Sequence, residues 1–275
     1  MSTIEVYYFS GTGNSLAVAK DIATRLNATL LPVLPLMNQE TIKTKAKTIG
    51  IVFPIYDFKA PPLIDTFIKK LPNLKNTYLF AVCTYGVRPL NTMKKLQKTI
   101  QSCDGALSGG FTVMMPHNGL GFKDIPQQKQ QRMFDNWQNK CKTIVDYVKV
   151  KEQGTIERST VAGKFIVAGL LIKMLPQLLP MLFQALTKGW KSLGFAADDT
   201  CNGCGICAQV CPVDNITMVD GKPQWSDKSI SCFACLQWCP QEAIQIGKLT
   251  KKMKRYHHPQ VKMKEIIEQK KGLCF

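Results

Sequence analysis

Glu5-Val6-Tyr7-Tyr8-Phe9-Ser10-Gly11-Thr12-Gly13-Asn14-Ser15 is the stretch that decides the fold. It begins as a β-rich run, stops at Ser10-Gly11 and passes straight into a helical pattern. From Asn14 to Leu26, apolar residues fall at Leu16, Ala19, Ile22, Ala23 and Leu26. A loop that ends a strand and opens a helix can surround a phosphate with backbone N–H groups, aided by the helix dipole. Ser10, Thr12, Asn14 and Ser15 add side-chain donors, and no lysine is present, which excludes a Walker A loop. Gly11 and Gly13 fit G-x-G, but Leu16 breaks the dinucleotide fingerprint. The loop suits a dianionic monophosphate held by neutral donors.

The alternation continues outward from this unit. Leu30 to Leu34, Thr48 to Phe53, Tyr78 to Thr84 and Phe111 to Met115 read as further strands. Helices are predicted from Pro61-Pro62 through Lys70, from Leu90 to Ile100 and from about Gln127 to Val148. Residues 1–155 thus read as an α/β domain, a five-stranded doubly wound parallel sheet in the order 2-1-3-4-5. Ligands of such sheets bind beyond the carboxyl ends of the strands. After the third strand stand Pro54, Ile55 and Tyr56, followed by Asp57-Phe58. After the fourth stand Cys83, Thr84, Tyr85 and Gly86, and after the fifth Met115-Pro116-His117-Asn118. Tyr56 and Tyr85 can stack on an isoalloxazine ring, loop peptides can reach its polar edge, and Asn118 is a further contact for the ring edge. FMN is the cofactor this pattern suits. His117 is a candidate acid, whereas Cys83 reads as a small buried hydrophobe.

The 275 residues carry 36 Lys and Arg against 19 Asp and Glu, a formal +17, with 45% hydrophobic residues and 11 cysteines. Disordered, collagenous and coiled-coil chains are excluded. Residues 198–247 are the only acidic segment, with two basic and six acidic side chains, and they hold seven of the cysteines. A nucleic-acid-binding zinc ribbon would reverse that pairing, so no nucleic acid is expected. Cys201, Cys204, Cys207 and Cys211-Pro212 form C-x2-C-x2-C-x3-C-P, the bacterial run for a 4Fe–4S cluster, whose fourth cysteine serves the other cluster. Zinc sites usually pair two short knuckles instead. Gly203 and Gly205 allow unusual backbone angles in that loop. The run repeats as Ser229, Cys232, Cys235 and Cys239-Pro240. Crossed ligation gives one 4Fe–4S cluster Cys201, Cys204, Cys207 and Cys239. It gives a second cluster Cys211, Cys232 and Cys235, with Ser229 at the fourth position. That second cluster is 4Fe–4S with a serine or water ligand, or 3Fe–4S, or the serine is an introduced substitution. Apolar-rich segments Val213 to Val219 and Ala243 to Ile246 suit two short hairpins over the clusters.

Residues 156–197 read as an apolar connector of two kinked helices, and residues 248–275 as a solvated, Lys-rich tail, helical from Lys262 to Lys270. Lys173, Pro176, Gln177, Pro180 and Gln184 interrupt the apolar run, so no membrane span is expected. Flanking Lys164, Lys188 and Lys191 leave peripheral membrane contact open. Met1-Ser2-Thr3-Ile4-Glu5 lacks a secretory n-region, which predicts a cytoplasmic protein with reduced cysteines.

The order of these parts resembles a family of fused flavodoxin–ferredoxin proteins found mainly in anaerobic prokaryotes. Phe9 to Ser15, Phe53-Pro54-Ile55-Tyr56, Thr84-Tyr85-Gly86, Met115 to Asn118 and the two Cys-Pro runs carry the resemblance. It implies a flavodoxin-like domain, a helical connector and a small α+β bacterial ferredoxin-like domain, with FMN and two 4Fe–4S clusters in electron transfer. Ser229 departs from the pattern. The expectation is an electron-transfer flavoprotein passing single electrons between clusters and FMN. The alternatives are a flavin-dependent reductase of a small molecule or quinone, and an iron–sulfur redox or oxygen sensor acting through the basic tail. The basic tail and first domain predict a redox partner with an acidic docking surface.

Overall fold

A computed structural model of the chain describes residues 4–120, 124–159, 194–247 and 249–272. Of the helical connector expected over residues 156–197, residues 160–193 lie outside the described residues, and the described flanks, 156–159 and 194–197, contain no helix.

Strands β1 (Ile4–Tyr8), β2 (Thr29–Pro32), β3 (Thr48–Pro54), β4 (Tyr78–Tyr85), β5 (Leu107–Met114) and β6 (Thr155–Ile156) form one parallel sheet, ordered β2-β1-β3-β4-β5-β6. The order is the expected doubly wound one, with a correction. A sixth strand of two residues continues the sheet beyond β5, pairing Gly109 with Thr155 and Gly110 with Ile156. Every residue of β3 is buried, as befits a central strand covered on both faces. Strand β5 starts four residues before the predicted Phe111. Gly109 and Gly110 weaken the strand signal there, and any side chain at Gly109 would strike the rings of Phe111 and Tyr147.

Helices α1 (Asn14–Leu26), α2 (Pro62–Lys70), α3 (Thr92–Gln101) and α4 (Gln127–Lys149) cover the sheet. α1 buries Leu16, Val18, Ala19, Ile22, Ala23 and Leu26. Each large apolar side chain so buried contributes about 1.5–3 kcal/mol relative to exposure.

The cysteine-rich segment folds around two short helices, α5 (Ile206–Gln209) and α6 (Ala234–Gln237). β8 (Ile216–Val219) and β9 (Lys222–Trp225) make one of the expected hairpins. The second expected hairpin is a different pairing: β10 (Ile244–Gln245) runs antiparallel to β7 (Ala196–Ala197), which precedes the cysteines. The tail, expected to be solvated, folds back on the first domain instead. Its helix α7 (Met263–Glu268) is shorter than expected, and Ile266, His258, Gln269 and Val261 are all buried. Lys20 of α1 pairs with Glu265. No helix among the described residues is long and apolar enough to cross a membrane.

Candidate functional site: a cavity, two cysteine sets and their shared wall

The carboxyl ends of β1, β3, β4 and β5 enclose a cavity of about 320 Å³, within the range of small-ligand sites. Ser10, Gly11, Thr12, Asn14, Ser15, Pro54, Ile55, Tyr56, Thr84, Tyr85, Gly86 and Asn118 all line it. Gly13, also expected there, faces the other way. It caps α1 at φ +97°, and a Cβ on it would meet His258 and Val261 of the tail at 2.9 and 3.0 Å.

The loop is held from within. Ser10 Oγ accepts the Gly13 N–H at 3.1 Å, Ser15 and Thr84 share a hydroxyl bond at 2.8 Å, and Asn118 Nδ2 donates to Thr12 Oγ1 at 3.1 Å. Asn14 Nδ2 donates to the Pro116 carbonyl at 2.9 Å. Gly86 permits the β5 loop to close in, since a Cβ there would lie 2.4 Å from that of His117. Burial lowers the His117 pKa, Lys129 lowers it further and Asp124 opposes them.

Tyr56 stands edge-on to Phe9 (6.2 Å, 89°), and burial, then Cys232, pushes its phenol well above the ordinary range. Asp57 and Phe58, at φ 47° and 60°, turn the chain back so that Tyr56 and Lys59 exchange backbone bonds. Two adjacent non-glycine residues in the left-handed region, on a cavity wall, mark strain held at a site. Tyr85 is half-buried, and burial followed by Cys83 raises its pKa. Cys83 is fully buried, which raises its own pKa strongly, as an inert packing thiol requires.

Under the crossed rule the seven clustered cysteines would form two sets, and Cys207 has neighbours in both. Burial pushes the Cys207 thiol up to about 11 against the pull of the Ala208 N–H; Cys204, Cys239 and Cys201 add to the rise. Burial raises Cys235 too, with Cys232, Cys211 and Cys207 contributing. Cys211, Cys232, Cys235 and Ser229 line one small space with Trp225 and Phe233. Among the described residues no three His, Cys, Asp or Glu side chains converge as a single metal ion requires.

Several donors there fit an anionic cluster. The buried Trp225 Nε1 meets no full hydrogen-bond partner among the described residues, and its N–H, facing Cys235, lowers that thiol's pKa against burial. Asn215 N–H donates to Cys211 Sγ at 3.3 Å. Ser229 Oγ accepts the Ser231 N–H at 3.3 Å, and Asn215 Oδ1 pins the approach to it through Ser226 Oγ and the Lys228 N–H.

The two cysteine loops also repeat in backbone. Gly203 and Gly205 adopt φ 74° and 69°; their counterparts Ser231 and Phe233 adopt 57° and 56°. The expected role of the two glycines thus has the required geometry. The second loop holds it with side chains that disfavour it, at about 1–2 kcal/mol per residue. Ser231 and Phe233 line the cavity at the strand ends, and Phe233 also lines the space among Cys211, Cys232 and Cys235. A Cβ on Gly11 would meet Cys232 at 3.3 Å and Tyr56 Oη at 2.5 Å. The cavity and the second cysteine set therefore share one thin wall.

Sequence reading missed the partners that hold the loop from outside. Trp238 Nε1 donates to the Gly11 carbonyl at 2.9 Å, and the His258 N–H to the Thr12 carbonyl at 2.8 Å. Gln269 gives and takes a bond with the Ser10 backbone, at 2.7 and 3.2 Å. Tyr256 Oη donates to Asn14 Oδ1 at 2.7 Å. Only the apolar spacing of the tail helix hinted at docking.

Residues 200–244 match the family described as 4Fe-4S dicluster domain. No curated protein matches the sequence. Among solved structures, a putative flavoprotein from Bacteroides uniformis is 21% identical over 42% of this chain and 92% of its own, with TM-score 0.36. A putative flavoprotein from Bacteroides eggerthii is 20% identical over 54% and 99%, TM-score 0.36. A flavodoxin, WrbA-like protein from Agrobacterium tumefaciens is 13% identical over 55% and 100%, TM-score 0.37. The sheet order and the dicluster match make this chain a fusion of a flavodoxin-like domain with a ferredoxin-like module, suited to redox chemistry.

Proposed function

We propose that the chain carries electrons between two iron–sulfur clusters and FMN. The shared wall carries this reading: Phe233 faces both the cavity and the second cysteine set, and Gly11 packs against Cys232. When bound, the clusters exchange single electrons and FMN one or two, which couples one-electron to two-electron partners.

The residues set the order of the parts. Cys204 is exposed, and Cys201 and Cys239 are partly so, which puts the first cluster within reach of a partner. Cys211, Cys232 and Cys235 are buried, which would shield the second cluster more than the first, while Ser229 is exposed at its edge. Ser229 would supply the second cluster's fourth ligand as an oxygen donor. Ser10, Thr12, Asn14 and Ser15, with the first amides of α1, would hold the phosphate, and Tyr56 and Tyr85 would border the ring. Lys251, Lys252 and Lys254 stand exposed beside Arg255, whose guanidinium donates to the carbonyls of Glu242 and Ile244 near Cys239. This strip suits an acidic redox partner, whose binding weakens as salt rises.

The test is anaerobic purification with iron and flavin counts, low-temperature EPR and stepwise reduction. About eight irons and one FMN per chain are expected, with reduction of the clusters followed by reduction of the flavin. Absence of flavin, or clusters that reduce while the flavin stays oxidised, refutes the reading. A small-molecule reductase is the second reading, favoured by a neighbouring cavity of about 390 Å³. It shares Pro116, His117, Asn118 and Gly119 with the first and adds Lys254 and Arg255. Steady turnover with an anionic acceptor, absent from the carrier, would select it.

A further inference from the structure

Three consecutive carbonyls of the phosphate loop, those of Ser10, Gly11 and Thr12, are each bonded from outside the cavity. The donors are Gln269 Nε2, Trp238 Nε1 and the His258 backbone N–H. None of these three residues lines the cavity. A trans peptide is planar, with its N–H pointing opposite to its C=O. No cis peptide occurs among the described residues. Turning these carbonyls outward therefore turns the N–H groups of Gly11, Thr12 and Gly13 inward. Ser10 Oγ takes the Gly13 N–H. That of Gly11 faces the Tyr56 phenol on the cavity wall, and that of Thr12 is left for the cavity, where it joins the first amides of α1 in an anion-binding nest.

We propose that Gln269, Trp238 and His258 are positioning residues that build this nest, so that the tail and the cysteine module complete the phosphate half of the flavin site. The proposal rests on the FMN reading above. The Gln269 carboxamide is buried at 1% exposure and pairs with both the N–H and the C=O of Ser10. Only a residue with adjacent donor and acceptor makes both bonds. His258 acts through its backbone, and its Cβ presses against Gly13, where no other residue fits. Trp238 keeps its ring stacked on His257 at 4.1 Å, which leaves its N–H aimed at Gly11. The module and the tail thus fix peptide planes without touching the ligand.

Phosphate recognition separates this role from simple packing. Gln269→Met keeps the volume and removes both hydrogen bonds; Trp238→Phe keeps the aromatic stack and removes the N–H. FMN and riboflavin differ by the phosphate alone. Dissociation constants for both ligands, measured by flavin fluorescence quenching on the anaerobically loaded, flavin-stripped full chain, give the ratio that matters. FMN should bind about tenfold more weakly to either variant, and riboflavin within twofold of the unmodified protein, with iron content unchanged. An unchanged FMN-to-riboflavin ratio in both variants overturns the proposal, whether both ligands weaken together or neither does. Failure of the unmodified protein to bind either flavin refutes the FMN reading itself, and the proposal with it.

Discussion

Lowering the pH from 7 to 5 should loosen the tail from the phosphate loop, and His258 sets the size of the effect. Its ring is 1% exposed. Nδ1 accepts the Gln260 N–H at 3.3 Å, and the buried Nε2 has no hydrogen-bond partner among the described residues. The ring meets Phe134 at 4.9 Å and Trp137 at 6.3 Å, both at steep angles. This environment suits a neutral imidazole. Protonating Nδ1 breaks the Gln260 bond and buries a charge. Burial, reinforced by His257, accordingly lowers the pKa from 6.5 to about 4. A folded pKa below the unfolded one gives stability that is complete above about pH 6.5 and is lost as pH falls toward 4. Over the whole interval the linkage amounts to roughly 3 kcal/mol, and about 2 kcal/mol of it is gone at pH 5. The open fraction of the tail should then rise roughly twentyfold. Hydrogen exchange of residues 256–269, corrected for intrinsic rates, reads this directly in the loaded protein and in His258→Gln. Carboxylates titrate alike in both, so the difference between the two isolates His258. Parallel loss of protection in the variant would refute the reasoning.

Three further outcomes follow from the shared wall and the second cysteine set. Gly11→Val drives a side chain into Tyr56 and Cys232; FMN binding should fall at least a hundredfold, as equilibrium dialysis would show. Ser229→Cys supplies a thiolate where an oxygen now stands: the second cluster's EPR signal should shift and its potential rise, while Ser229→Ala should lose about one iron. Unchanged spectra in both would remove Ser229 from the ligand set. Phe233→Gly copies Gly205 of the first loop and relieves left-handed strain worth about 1 kcal/mol. Iron content should hold, and reduction of the flavin by the clusters, followed by stopped flow, should slow.

Local patterns made much of this legible. The first strand, loop and helix carry both periodicities within 26 residues, and α1 runs over Asn14–Leu26 as its apolar spacing predicts. Cysteine spacing is equally local, because one cluster draws three ligands from one tight loop. Twelve of the thirteen residues expected at the flavin line one cavity, since strand ends gather wherever a doubly wound sheet forms. The rest depends on contacts with no local trace. Gln269 meets Ser10 across 259 residues through main-chain atoms that any residue at position 10 would offer. Lysines on the outer face of the tail disguised its buried inner face. Ser231 and Phe233 take backbone angles that their side chains disfavour, so only their register with Gly203 and Gly205 betrays the shape. β6 is too short for a period to show.

The packing also argues against treating the two halves as beads on a string. Cys232, Ala234 and Trp238 of the module and Val261 and Ile266 of the tail belong to the same buried cluster as the sheet residues Val6, Phe9 and Ile51. Cys207, Cys211 and Cys235 pack in a separate, smaller cluster with Ile216, Leu236 and Ile244. Cys232, which the proposed reading makes a ligand of the second iron–sulfur set, thus sits in the core of the flavodoxin-like domain. Loading that set would fix Cys232, and with it the wall on which Gly11 rests. Linkage is reciprocal: whatever factor cluster loading adds to FMN affinity, FMN adds to cluster retention. Chelator-driven iron loss should therefore slow when FMN is saturating, and riboflavin, which leaves the phosphate nest empty, should protect less.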